Sequence, residues 1–112
     1  MKATPIPERS RNLVIARDKS KCVRCAGPCI PGEWHHRRSR SIRDAETHLP
    51  SNGILLCPEC HRWVHAHPFE ARSTGYIVSR YASPASEGVV HALYGPVFLD
   101  NEGGYTQMEE SA

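Results

Sequence analysis

The sequence predicts a small α+β fold, and three observations carry that expectation. The chain has 112 residues, 39% hydrophobic and 7% aromatic, which allows one domain with a thin core. Two Cys-x-x-Cys pairs, Cys22/Cys25 and Cys57/Cys60, offer four thiolates that can close a tetrahedron and stabilise such a core. Short apolar runs that read as strands stand beside segments with helix-start signals.

Residues 1–9 hold two prolines and no periodic pattern, and are expected to form a flexible arm. Ser10 is a candidate cap for a helix with Leu13, Val14 and Ala16 on its apolar side, ending near residues 18–20. Residues 22–32 are dense in turn formers, as a metal knuckle and a tight reversal require. Residues 33–37 read as a strand, 38–51 as a polar, basic loop, and 54–56 as a brief apolar run. Pro58 is placed to start a helix with Trp63 and Val64 on its buried side. The His67-Pro68 step predicts a kink or an end, followed by a second helical piece over 68–73 before Gly75. Short strands are expected at 76–79, 89–94 and 97–99, with a turn over 101–104 and a frayed tail over 107–112. The expected organisation is a core domain over 10–75 and a β-rich extension over 76–106.

No apolar leader opens the chain and no stretch is long enough to span a membrane, so a reduced, cytoplasmic protein is expected. In that setting paired cysteines point to a metal rather than to disulfides. The net charge is +2, but it is unevenly spread. Residues 1–65 carry 12 Lys/Arg against 6 Asp/Glu, whereas residues 66–112 carry 2 against 6. The first part is the expected nucleic-acid face; a merely solvated basic surface is the alternative.

The four paired cysteines are expected to hold a structural zinc. Such a site contributes about 10–16 kcal/mol of apparent binding energy at neutral pH, enough to offset a thin core. Cys29 is left over, as a spare thiol or a substitute for Cys25. Six of the seven histidines fall between His35 and His67. His61 and His65 lie four apart on the expected helix, so both face one way and can grip one metal ion. Cys60 and His61 are neighbours, about 100° apart around a helix, so thiolates and imidazoles serve two different sites. His35 and His36 are adjacent on a strand and leave opposite faces, so one can bind metal while the other stays free. A free imidazole is suited to deprotonate water near neutral pH.

The order Cys22-x-x-Cys25, Glu33-Trp-His35-His36-Arg37, Asn52-Gly-Ile-Leu-Leu-Cys57-x-x-Cys60-His61, His65 resembles the HNH endonucleases, also called ββα-metal or His-Me finger nucleases. The likeness covers about residues 10–67, and the extension further resembles small HNH proteins of phages. It implies a ββα-metal core with a structural zinc held by four cysteines. His36 would be the general base, and His35, His61 and His65 would be metal ligands. Asn52 would hydrogen-bond across the loop and hold the base-bearing strand. Many members carry Asp at the place of His35, and many zinc-stapled ones keep only the first of the two helix histidines. His48, His67 and His91 have no motif support and are taken as structural.

The implied activity is metal-dependent hydrolysis of DNA phosphodiester bonds, leaving a 5′-phosphate and a 3′-hydroxyl, with Mn2+, Ni2+, Zn2+ or Mg2+ at the histidines. Arg37, Arg38, Arg40 and Arg43 are the expected phosphate contacts, with Arg9, Arg11 and Arg17 as a second patch. No base-reading helix is evident, so weak sequence specificity and steep salt dependence are expected. Analogy with phage relatives adds terminase as a partner in genome packaging, in the host cytoplasm, and a monomer or weak dimer. A zinc-ribbon module that binds DNA or protein without cutting would use the same cysteines but has no need of the histidines.

Overall fold

The protein is described by a computed structural model over residues 5–29 and 32–108. The remainder of the expected reversal at 30–31, the first four residues of the arm and the last four of the tail lie outside the described residues. Among those described, the elements are α1 (Glu8–Asp18), β1 (Glu33–His36), β2 (Gly53–Leu56), α2 (Pro58–Ala66), α3 (Pro68–Ser73), β3 (Val89–His91), β4 (Gly95–Leu99) and β5 (Tyr105–Gln107). Single 3-10 turns precede β2 at Pro50–Asn52 and β3 at Pro84–Ser86. The result is a small α+β fold with two antiparallel sheets, β1-β2 and β3-β4-β5.

The β1-β2 ribbon pairs Glu33 with Leu56, Trp34 with Leu55, His35 with Ile54 and His36 with Gly53. All four residues of β2 are buried. Gly53 is required by close approach: a Cβ there would sit 2.1 Å from the Trp34 indole. The chain then enters α2 through Cys57 as N-cap and Pro58 in the first turn, where a proline lacks nothing because its N–H would be unpaired anyway. At His67 the backbone leaves helical geometry and α3 begins at Pro68, matching the kink and second helical piece read from the sequence.

Several expectations require correction. Ser10 does not cap α1; the helix starts earlier, at Glu8, with Pro7 in the cap position, and Ser10 is buried within it. Residues 76–79 form no strand. Gly75, at φ +84°, turns the chain back, so the Tyr76 and Ile77 N–H groups bond the Ala71 carbonyl of α3 and are lost to any ladder. The run 89–94 is split by a turn at 92–94, and β4 starts at Gly95 rather than at 97. Gln107 is paired opposite Val97 in β5 instead of being frayed.

One core cluster joins Val14 of α1, Val23, Ile54 and Leu56, Val64 of α2, Tyr76, and Val89, Val97 and Leu99 of the second sheet. The 76–106 segment therefore shares its core with what precedes it. A buried polar knot crosses the same boundary. Asp18 accepts from Arg17 Nε at 2.8 Å, from His91 Nε2 at 2.8 Å and from the Leu55 N–H at 3.1 Å. Burial pushes the Asp18 carboxyl up, but the hydrogen bonds from His91 and Arg17 outweigh it and hold it below its ordinary value. Arg17 also reaches the Pro50 and Gly53 carbonyls at 2.9 and 2.7 Å. It is consumed in the core and is no phosphate contact, contrary to the second basic patch.

Candidate active site and metal centres

The Sγ atoms of Cys22, Cys25, Cys57 and Cys60 lie within 4.8 Å of one another, brought together by the first knuckle and the start of α2. Cys29 is buried but is not one of the four. Three donors point at the sulfurs: Gly27 N–H to Cys25, Cys60 N–H to Cys57, and Arg24 to Cys60, each at 3.4 Å. Such donors stabilise thiolates, so the cluster fits a tetrahedral zinc in both ligand chemistry and surroundings. The Arg24 guanidinium is further held 3.6 Å above the Trp63 ring.

A second cluster gathers one nitrogen each from His35, His61 and His65, again within 4.8 Å. His61 and His65 project from adjacent turns of α2, and His35 comes from β1 packed against it. Their ring centroids are 5.0–5.6 Å apart. Second partners select the nitrogens that face inward. The Tyr76 carbonyl, 2.7 Å from His35 Nε2, can only accept, so Nε2 carries the hydrogen and Nδ1 keeps its lone pair. Likewise the Glu33 carboxylate, 2.9 Å from His61 Nδ1, leaves Nε2 of His61 as the nitrogen available to a metal. A carboxylate or carbonyl behind a ligating imidazole is the usual outer shell of a metal site. Three imidazoles, two of them held in this way, fit a borderline divalent ion.

His36 stays outside this triad, as strand alternation requires. It lies half-buried in a cleft of about 500 Å³ lined by Trp34, His35, Arg40, His61, His65 and Ile77 among others. Burial, and after it the charges of His48, Arg40 and His61, push its pKa down to about 4. Burial does the same to His35, also to about 4. Both rings are therefore neutral at pH 7, the form that accepts a proton or binds a metal.

Asn52 is fully buried and bridges the two ends of the 38–47 loop. Its Oδ1 accepts from the Arg38 N–H at 2.7 Å, and its Nδ2 donates to the carbonyls of Thr47 at 2.9 Å and Arg38 at 3.2 Å. The strand end that carries His36 is thereby fixed to the loop that returns beside it.

The expected basic patch divides. Arg37 is 1% exposed and donates to the carbonyls of Gly75, Ser51, Pro84, Glu87 and Gly88 at 2.8–3.3 Å. It is a structural cross-link and not a DNA contact, because every donor is already committed inside the protein. Arg38 is also buried and ion-paired with Asp44, which removes it from the phosphate-binding surface too. Arg40 and Arg43 are exposed, and Arg40 lines the cleft. Arg9 is exposed in a pair with Glu102, and Arg11 is exposed on α1.

Two partners escaped the sequence analysis. Glu33 lies two residues before His35 on one strand and hence on its face, a signal that was present. His48 Nδ1 sits 3.1 Å from His36 Nε2, twelve residues away across an irregular loop, where no periodicity could announce it.

Comparison with known proteins finds a family model that matches the central segment. Residues 22–67 match the family model of HNH endonucleases. Human phosphatidylinositol-3,5-bisphosphate 3-phosphatase MTMR4 is 29% identical over 103 residues, which cover 90% of this chain and 8% of that enzyme. No solved structure matches.

Proposed function

We propose that the chain, whose residues 22–67 match the family model of HNH endonucleases, is a metal-dependent endonuclease that hydrolyses DNA phosphodiester bonds. The observation that carries this reading is the pairing, in one cleft, of His36, which lies outside the cluster, with the convergent nitrogens of His35, His61 and His65. A zinc-ribbon binding module has no use for such a constellation. When bound at that triad, a divalent ion supplies the Lewis acidity that offsets charge on the scissile phosphate and the departing 3′ oxygen. His36 is the general base, taking a proton from the attacking water with its free ring nitrogen. Asn52 is a positioning residue: by fixing the Arg38 backbone to Thr47 it holds the end of β1, and with it His36, at one place relative to α2. Arg40 and Arg43 hold the DNA backbone beside the cleft without reading bases, which implies weak sequence preference.

Plasmid nicking tests this directly. The zinc-loaded protein is incubated with supercoiled DNA and manganese, nickel, zinc or magnesium. Wild type is expected to nick with at least one ion, and His36→Ala and His61→Ala to lose activity by a hundredfold or more, a typical general-acid–base contribution being about 10²–10⁴. A folded wild type that never cuts, or a His36→Ala variant that cuts as well, would overturn the assignment in favour of a binding module.

A further inference from the structure

We propose that His48 is a positioning residue for His36, fixing the tautomer and ring plane of the base from outside the motif; this rests on the nuclease reading above. The geometry is specific. His36 Nε2 and His48 Nδ1 are 3.1 Å apart, and the ring centroids are 5.2 Å apart in an edge-on arrangement at 60°. Two imidazole nitrogens at that distance share a single hydrogen between them. Only one of the two placements leaves His36 useful. With the hydrogen on His36 Nε2, that atom donates to His48 and Nδ1 of His36 keeps its lone pair for the water. With the hydrogen on His48 Nδ1, the hydrogen bond consumes the lone pair on Nε2, and His36 Nδ1 carries the other hydrogen and cannot accept.

His48 therefore acts as the third group behind the nucleophile-activating base, the place a carboxylate or carbonyl takes when it orients a catalytic histidine. As the water's proton arrives at His36 Nδ1 the ring becomes cationic. Its Nε2–H bond to His48 strengthens because a charged donor makes a stronger hydrogen bond than a neutral one. The gain is realised as charge develops, which is when it lowers the barrier.

The fold keeps the pair in register. His48 follows Thr47, whose carbonyl accepts from Asn52 Nδ2 at 2.9 Å and whose hydroxyl closes the loop onto the Ile42 carbonyl. Leu49 then bonds the Glu46 carbonyl, and Pro50–Asn52 forms a 3-10 turn. His48 is thus held from both sides by the same asparagine network that fixes the end of β1. Trp34, with its ring centroid 5.9 Å from that of His36, borders the base on its own strand.

The test uses the full-length, zinc-loaded protein and two readouts. Nitrogen-15 NMR of the histidine side chains is expected to show His36 mainly as the Nε2–H tautomer in wild type and as a mixture in His48→Ala. In metal-activated nicking, His48→Ala is expected to lower kcat about 10–100-fold with KM little changed. His48→Asn, whose side-chain oxygen can stand where Nδ1 stood, is expected to recover most of the loss. Zinc content and nickel affinity at His35, His61 and His65 are expected to match wild type, which separates positioning from general damage. An unchanged His36 tautomer in His48→Ala overturns the proposal even if no conditions for cutting are found. So does a wild-type kcat in His48→Ala, or a loss carried by KM alone. A wild type with the expected tautomer but no cleavage would count against the nuclease reading and leave the His36–His48 pair standing.

Discussion

Arg37 and Arg40 are three residues apart and carry the same charge, yet burial gives them opposite tasks. The Arg37 guanidinium is enclosed by the carbonyls of Ser51, Gly75, Pro84, Glu87 and Gly88, and burial lowers its pKa only to about 10, so it remains charged. Arg37→Met would keep much of the volume and leave those acceptors without their donor. Charged hydrogen bonds of this kind are worth about 1.5–3 kcal/mol each at most, and the losses overlap, so a total of at least about 3 kcal/mol is expected. Urea unfolding of zinc-loaded protein measures it, and a midpoint equal to that of wild type would refute the cross-link. Arg40→Ala, at an exposed position, is expected to leave stability within about 0.5 kcal/mol. It should instead weaken DNA binding and reduce the slope of log affinity against log salt by about one; an unchanged slope would remove Arg40 from the interface. The sequence alone could not separate these two. Residues 37–43 read as one basic run, and what buries Arg37 is a set of carbonyls up to 51 residues away. Asn52, by contrast, was expected to bridge the loop, but only because the resemblance to the HNH endonucleases implied it; its partners, Arg38 and Thr47, lie 14 and 5 residues away.

At the scale of elements, helix α2 joins the two candidate metal centres. Cys57 and Cys60 occupy its N-terminal cap and first turn, and His61 and His65 follow on the next turns. The helix has only nine residues, a length at which an isolated helix is marginal in water. Removing zinc with a strong chelator is therefore expected to abolish the near-ultraviolet signal of Trp34 and Trp63 and the nickel-binding site together. An apoprotein that keeps its nickel affinity would show that core packing alone holds α2. Strand β1 makes the complementary contribution through Glu33, which holds His61 Nδ1. Glu33→Ala is expected to weaken nickel binding about 10–100-fold by calorimetry while the structural zinc content is retained, whereas unaltered binding would make the contact incidental. These elements were readable because their signals are local: alternation on β1, Pro58 at the helix start, and an i, i+4 histidine pair. The Tyr76 carbonyl behind His35 was not. It is a backbone group presented by a turn that was expected to be a strand, and no side-chain pattern encodes it.

For the molecule as a whole, the decisive question is whether residues 10–75 can stand alone, as the motif boundaries suggest. The packing argues that they cannot. Val14 and Val64 share a core with Val89, Val97 and Leu99. The His91 imidazole donates to the buried Asp18 carboxylate, and its Nδ1 accepts the Leu93 N–H, so both ring nitrogens are satisfied only in the intact chain. The Tyr94 hydroxyl donates to the Arg17 carbonyl at 2.6 Å. Truncation after Gly75 would strip three of the five carbonyls from Arg37, the Tyr76 carbonyl from His35 and the His91 partner from Asp18, leaving these buried groups only partly compensated. Zinc binding at the knuckles does not replace any of these contacts, since none of them touches a cysteine. The charge asymmetry along the sequence, basic before residue 66 and acidic after it, suggested two territories. Packing instead makes the acidic segment the support on which Arg37 and His35 rest. A chain of residues 1–75, supplied with zinc, is expected to give a poorly dispersed proton–nitrogen correlation spectrum and no metal-activated nicking. A well-dispersed spectrum with wild-type nickel affinity would mean that the motif folds without its C-terminal third and that the shared core is dispensable to the site.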